Sequence, residues 1–205
     1  MQAKGEGRPK KRWLWTGLVL VLLAAAGYYV VTRCNINPQR QVGEVVDELD
    51  GAAVYYNGGV AHVEGRHLAS DGYNLGLKYQ CVEFVKRYYY EHYGHKMPDS
   101  YGHAKDFFDS RVKDGEMNAA RGLIQYVNGS LMPPQKGDLV VYAPHAGNHY
   151  GHVAVVSEVS EAGVEIIQQN PGPFGVSREV YTLKQDAHGH WHIGHDRVMG
   201  FLRMP

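Results

Sequence analysis

Hydrophobic and polar positions divide the chain into three stretches of different character. Behind a basic cluster at residues 8–12 runs an uncharged segment from Trp13 to Thr32, "WLWTGLVLVLLAAAGYYVVT". A helix of that length rises about 30 Å, enough to cross bilayer hydrocarbon. Trp13 and Trp15 at one end, with Tyr28 and Tyr29 near the other, stand where interfacial anchors stand. The next residues, "NINPQRQVGEVVDELD", are polar and read as a linker with one short helical turn. The third stretch, from about Gly51 to Pro205, has the patterning of a folded domain.

Within that domain the period of the pattern changes along the chain. "AAVYYNG" reads as a short strand ending in an Asn-Gly turn, and the residues from there to Gly76 read as loop. From Cys81 the positions Phe84, Val85, Tyr88, Tyr89 and His92 fall on one helical face, and Gly94 stops the helix. "SYGHAKDFFDSRV" (Ser100 to Val112) predicts a second helix capped by Ser100. Strands follow at Asp138 to Tyr142, Gly151 to Ser160, Gly163 to Asn170 and Ser177 to Leu183, and "RVMGFLRM" closes the chain. Helices first and antiparallel strands afterwards predict an α+β domain.

Composition narrows the function classes. Hydrophobic residues make up 44% of the 205, with 15 tyrosines, which supplies a core and excludes a disordered chain. The formal net charge of +0 conceals an asymmetry. Residues 1–33 carry Lys4, Arg8, Lys10, Lys11, Arg12 and Arg33 against Glu6, so everything beyond is net acidic, which speaks against nucleic-acid binding. The two cysteines, Cys34 and Cys81, have neither metal-type spacing nor the count of a disulfide scaffold.

Cys81 is the residue whose position suggests chemistry. The first turn of a helix presents unpaired N–H groups and the positive dipole end, which lowers a thiol pKa toward thiolate at neutral pH. Its own N–H can face a developing oxyanion, with Gln80 or Tyr79 as a second donor. A thiol nucleophile needs a proton carrier, and His152 opens the valine-rich strand, on a face shared with Ala154 and Val156. The imidazole in turn needs a partner for its other nitrogen, and Gln168 and Asn170 share one face of the following strand. Singly, the cysteine and the histidine each read better as ordinary core or surface residues; it is their combination that points to catalysis.

Taken in order, "KYQCVEFVKRYYYEHYG", "GDLVVY", "GHVAVVSEV" and "IIQQN" resemble a CHAP domain, the cysteine- and histidine-dependent amidohydrolase/peptidase family. The likeness runs from Gly51 to Arg203 and extends to the amidase domain of glutathionylspermidine synthetase/amidase, through "GAAVYYN", "QCVEF" and "GFLR". It implies a papain-like fold with Cys81 as nucleophile and His152 as general base and acid. Family members typically show glutamate then asparagine on the third strand, where this chain has Gln168 and Asn170.

The resulting expectation is a membrane-anchored cysteine amidase or peptidase cleaving amides through a thioester acyl-enzyme, without cofactor or metal. Its parts are a cytoplasmic tail (1–12), a transmembrane anchor (13–32), a linker (33–50) and a CHAP amidase domain (51–205). The charge bias orients the domain to the periplasmic or extracellular side of a bacterial inner membrane; a cleaved signal peptide is the alternative, against which the length of the apolar run weighs. The substrate is a cell-wall peptide or a polyamine conjugate of the glutathionylspermidine type. A catalytically dead binding module on the same fold is the competing reading. "HGHWHIGH" allows a metal site through His188, His190 and His192, against a solvated hairpin. The cleft is expected from residues 71–78, 143–150 and 171–175.

Overall fold

The computed structural model describes residues 9–205, with side chains from Arg12 onward; most of the basic tail lies outside the described residues. Helix α1 (Pro9–Arg33) takes up the uncharged run, and its stretch from Arg12 to Arg33 is long and apolar enough to cross a membrane. Its C-terminal carbonyls are capped by a loop of the domain. Ala61 N–H donates to Thr32 O at 2.9 Å, and His62 Nδ1 lies 3.2 Å from Arg33 O.

The polar stretch after α1 is not a linker with a helical turn. It contains β1 (Val45–Leu49), which pairs antiparallel with β2 (Ala52–Tyr55). Asp50 and Gly51 form the turn with φ of 49° and 88°, the two positive values that a tight hairpin needs and that Asp-Gly supplies. The segment read as loop up to Gly76 holds a second hairpin, β3 (Arg66–Leu68) with β4 (Asn74–Leu77).

Helix α2 (Cys81–Tyr93) forms as the periodicity predicts, burying Phe84, Val85, Tyr88 and Tyr89 and ending at Gly94, whose φ of 63° suits a residue without Cβ. The second helix shrinks to a single 3₁₀ turn, Ala104–Phe107. The cause is Arg121, whose buried guanidinium takes the carbonyls of Asp99, Tyr101 and Asp106 as acceptors. Those oxygens are thereby withdrawn from any helical ladder.

The remaining strands are β5 (Glu116–Asn118), β6 (Leu123–Val127), β7 (Leu139–Tyr142), β8 (His152–Ser160), β9 (Gly163–Ile167), β10 (Arg178–Tyr181), β11 (Leu183–Gln185), β12 (Trp191–Ile193) and β13 (Val198–Arg203). Seven of them make one antiparallel sheet in the order β10-β9-β8-β7-β13-β6-β5. Its central strands are buried on both faces, so they read as unbroken valine and leucine. Alternation sends Leu139, Val141, Val153 and Val155 toward α2, and Val140, Ala154, Val156 and Ile166 to the opposite core with Ile193 of β12. The architecture is therefore α+β, with one helix and one helical turn against the sheet.

Candidate active site

Cys81 is the first residue of α2, after Gln80, whose φ of −81° and ψ of 160° keep it outside the helix. Helix packing carries the thiol onto β8, where the backbone N–H of Val153, the residue after His152, faces the sulfur. Burial pushes the Cys81 thiol up to about 11 against the lowering influence of the Val153, Val82 and Cys81 N–H groups. The helix head therefore does not hold a thiolate at neutral pH, contrary to what its position alone predicts: removal from water outweighs the local dipole.

His152 opens β8 opposite Tyr142 of β7, and the two rings lie 5.6 Å apart. Its place depends on Gly151, where φ is +73° and a Cβ would come within 2.7 Å of Tyr142 O. His152 Nε2 is 2.8 Å from Gln168 Oε1. Burial pushes the imidazole down to about 4; the Gln168 hydrogen bond and Glu179 oppose this, whereas Arg197 and His195 add to it. At neutral pH each group thus rests uncharged, Cys81 as a thiol and His152 as a neutral imidazole.

Gln168 follows directly on β9 and is buried. Its Nε2 donates to Glu179 Oε1 at 2.8 Å and to Val176 O at 3.2 Å. Asn170 does not join it. A φ of 60° turns Asn170 out of the strand alternation that predicted a shared face. Its amide nitrogen instead donates to Val60 O and Gln80 Oε1, each at 2.9 Å, and its Oδ1 is buried without a partner.

The two donors considered beside Cys81 are engaged elsewhere. Gln80 Nε2 donates to the carbonyls of Val60 and His62, and the Tyr79 N–H donates to Asn57 Oδ1 at 3.0 Å. Both residues brace the loop that caps α1.

Gln169 and Glu179 were missed in the sequence. Gln169, fully buried, accepts from Tyr55 N–H at 2.8 Å and donates to Gln80 O at 3.0 Å and Glu83 Oε2 at 2.8 Å. It ties the end of β9 to the helix head. Glu83 also receives Arg87 Nε and His67 Nδ1, each at 2.8 Å. Burial raises the Glu83 pKa, but these partners outweigh it and hold the carboxyl below its ordinary value.

A cavity of about 390 Å³ opens between residues 37–57 and 168–177, with Tyr55, Asn57, Gln168, Asn170 and Phe174 in its walls. The "PGPFG" loop contributes as expected, whereas residues 71–78 and 143–150 are not part of this cavity. His190 and His192 lie 3.2 and 3.5 Å from Asp186, on the β11–β12 hairpin.

Comparison with known proteins follows the same residues. Residues 71–170 match the family model of the CHAP domain, a span that includes Cys81, His152, Gln168 and Asn170. Trypanothione synthetase of Crithidia fasciculata is 32% identical over 129 residues, 62% of this chain and 20% of the relative. Glutathionylspermidine synthase of the same organism is 32% identical over 105 residues, 48% of this chain and 14% of the relative. The bifunctional glutathionylspermidine synthetase/amidase of Escherichia coli (strain K12) is 31% identical over 128 residues, 54% of this chain and 20% of the relative. The chain spans a fifth or less of the length of these relatives. The resemblance read from the ordered motifs is shown by these matches.

Proposed function

We propose that this chain is a membrane-anchored cysteine amidohydrolase of papain-like fold, with Cys81 as nucleophile, His152 as general base and acid, and Gln168 as the residue that orients the imidazole. The observation that carries the reading is the 2.8 Å bond between His152 Nε2 and Gln168 Oε1, made inside the residues that match the CHAP domain. A neutral amide accepting from a buried imidazole fixes one tautomer and leaves the other nitrogen to take a proton.

The reaction proceeds by acyl transfer. His152 Nδ1 takes the proton from Cys81 Sγ as the sulfur–carbon bond forms at the amide carbonyl, and the Cys81 N–H at the helix head receives the oxyanion. The same proton passes to the leaving amine as the C–N bond breaks, giving a thioester. Water, deprotonated by His152, then attacks the thioester and restores the thiol. Because thiol and imidazole rest neutral, the first proton transfer accompanies attack instead of preceding it.

The N-terminal helix supports anchoring, and the basic residues before it favour an outward-facing domain on a bacterial inner membrane. That location suits peptide amides of the cell wall. The relatives' names support a glutathionylspermidine-type amide as the second candidate. β1 completes a hairpin with β2, which supports drawing the start of the amidase domain back to include Val45–Leu49. The test offers cell-wall peptides and glutathionylspermidine in parallel to the full chain in detergent, with Cys81→Ala as control. Release of amine from one substrate by the wild type alone supports the reading and names the substrate; release from neither favours a binding module.

A further inference from the structure

An amide partner for a catalytic imidazole raises a problem that a carboxylate does not. A glutamine side chain can rotate to offer either its oxygen or its nitrogen, and the two choices demand opposite imidazole tautomers. Something beyond Gln168 must choose.

The structure holds that group on the next strand. Gln168 has two amide hydrogens and both are used, one by Glu179 Oε1 at 2.8 Å and one by Val176 O at 3.2 Å. The other carboxylate oxygen of Glu179 accepts from Tyr181 O–H at 2.9 Å, so the carboxylate itself is held in place. Rotating the Gln168 amide by half a turn would set its oxygen against a carboxylate and a carbonyl, acceptor facing acceptor in a buried site. A buried acceptor left without a donor is unfavourable, and more so when it faces a charge of its own sign. Only one orientation is therefore populated, with Oε1 toward His152.

We infer that Glu179 is a positioning residue: by accepting from Gln168 Nε2 it directs Gln168 Oε1 to His152 Nε2, which fixes the proton on Nε2 and leaves Nδ1 as the basic nitrogen. The chain of donors runs His152 Nε2–H to Gln168, Gln168 Nε2–H to Glu179, and Tyr181 O–H to Glu179. Glu179 also places a negative charge one amide away from the imidazolium that forms during turnover. The groups around His152 are Tyr142 from β7, Gln168 just after β9, Glu179 from β10, and His195 and Arg197 from the segment before β13. Glu179 is the one acid among them, set against the cationic Arg197.

The inference rests on the reading of His152 as the base of an amidase, so its test has one arm that needs no turnover. In the full chain in detergent, nitrogen-15 NMR of the His152 ring reports which nitrogen carries the proton. Wild type and Glu179→Gln, which keeps an acceptor for Gln168, are expected to show the Nε2–H tautomer. Glu179→Ala is expected to show a mixture, with kcat lower by at least about tenfold and KM unchanged, inside the range up to ~10⁴ found when a catalytic imidazole has the wrong tautomer.

Should Glu179→Ala fail to fold, Gln168→Glu supplies the second arm, because it sets two carboxylates side by side. Adding Glu179→Gln to Gln168→Glu is expected to restore the activity and the His152 signal that Gln168→Glu alone loses. An Nε2–H tautomer and wild-type kcat in Glu179→Ala, or no recovery in the double variant, would overturn the inference. A wild type that cleaves no amide while its tautomer still depends on Glu179 would remove the amidase reading and leave the positioning role standing.

Discussion

Cys81 Sγ lies against the backbone N–H of Val153, so the helix head and the first turn of the histidine strand meet through the peptide next to His152. This contact brings residues 72 positions apart to one place, and it explains why Cys81 is buried with α2 and not exposed at its tip. A buried thiol is a poor acid. The same burial that locates the nucleophile keeps it protonated until a substrate arrives.

Alkylation tests that balance. Cys34 is exposed and Cys81 is buried with its thiol pushed up to about 11. Iodoacetamide at neutral pH is expected to modify Cys34 first, with Cys81 following slowly. An electrophile built on an acyl group that fills the cleft is expected to reverse the order, because His152 then takes the proton during attack. Mass spectrometry of the two cysteine peptides reads the ratio; a Cys81 that outpaces Cys34 with plain iodoacetamide would mean a resting thiolate.

Removing the base tests the proposed role of His152. A positioned proton carrier contributes about 10²–10⁴-fold, so His152→Ala is expected to lower kcat by that order while leaving the circular dichroism spectrum unchanged. Gln168→Ala is expected to lower kcat less than His152→Ala does, with KM held, since it loosens the imidazole without removing it.

The pH dependence follows from the low imidazole value. His152 titrates at about 4 in the fold against an ordinary value of 6.5. Below pH 6.5 the unfolded chain binds a proton that the native state refuses, so stability falls as pH drops from 6.5 toward 4. The loss approaches about 3 kcal/mol at ~1.4 kcal/mol per unit. Urea denaturation across that window is expected to show the loss in wild type and a shallower one in His152→Gln. The kcat/KM profile is expected to carry its acid limb near pH 4 and to stay flat through neutrality.

Much of this arrangement was legible in the chain because it depends on local period. The apolar face of α2, the placement of Cys81 at its start and the alternation that opens β8 at His152 need only helix and strand geometry. Two departures from the local pattern depend on more distant parts of the chain. The helix predicted over Ser100 to Val112 gives way where Arg121, in a later segment, takes the carbonyls of Tyr101 and Asp106. Asn170 leaves the face of Gln168 because the strand ends one residue before Gln168 and the chain then turns. The Asp50–Gly51 turn was present in the sequence and was masked by the polar residues around it. Glu179 and Gln169 act through strand register and packing across the domain, which no local pattern records.

Glu83 anchors the helix head. It is fully buried among Arg87, His67 and Gln169, so Glu83→Ala takes from Arg87 its buried ion-pair partner, leaving the exposed Glu91 at 3.7 Å, and from Gln169 one of its two acceptors. Breaking a buried pair by removing one member costs about 3–5 kcal/mol. Thermal unfolding is expected to show a loss of that size, and the loss should shrink when Arg87 is replaced by Met in the same chain. A Glu83→Ala protein as stable as wild type would mean that water already serves these groups.

Gly151 separates strain at the site from loss of a functional group. Its φ of +73° is a conformation that side-chain-bearing residues rarely adopt, and a Cβ there would stand 2.7 Å from Tyr142 O and 3.1 Å from Lys105 N. Both neighbours are backbone, so neither can swing aside. Lys105 N–H already donates to Tyr150 O at 2.8 Å, which clamps the chain immediately before His152. Gly151→Ala is therefore expected to cost about 1–3 kcal/mol of stability and to shift His152 away from Gln168, lowering kcat with every titrating group still present. The His152 ring nitrogen signals should move in this variant, whereas a substitution at Gly65, where a Cβ would meet nothing within 4 Å, should leave them in place. If Gly151→Ala keeps the His152 signals and kcat of the wild type, the turn before β8 does not fix the imidazole.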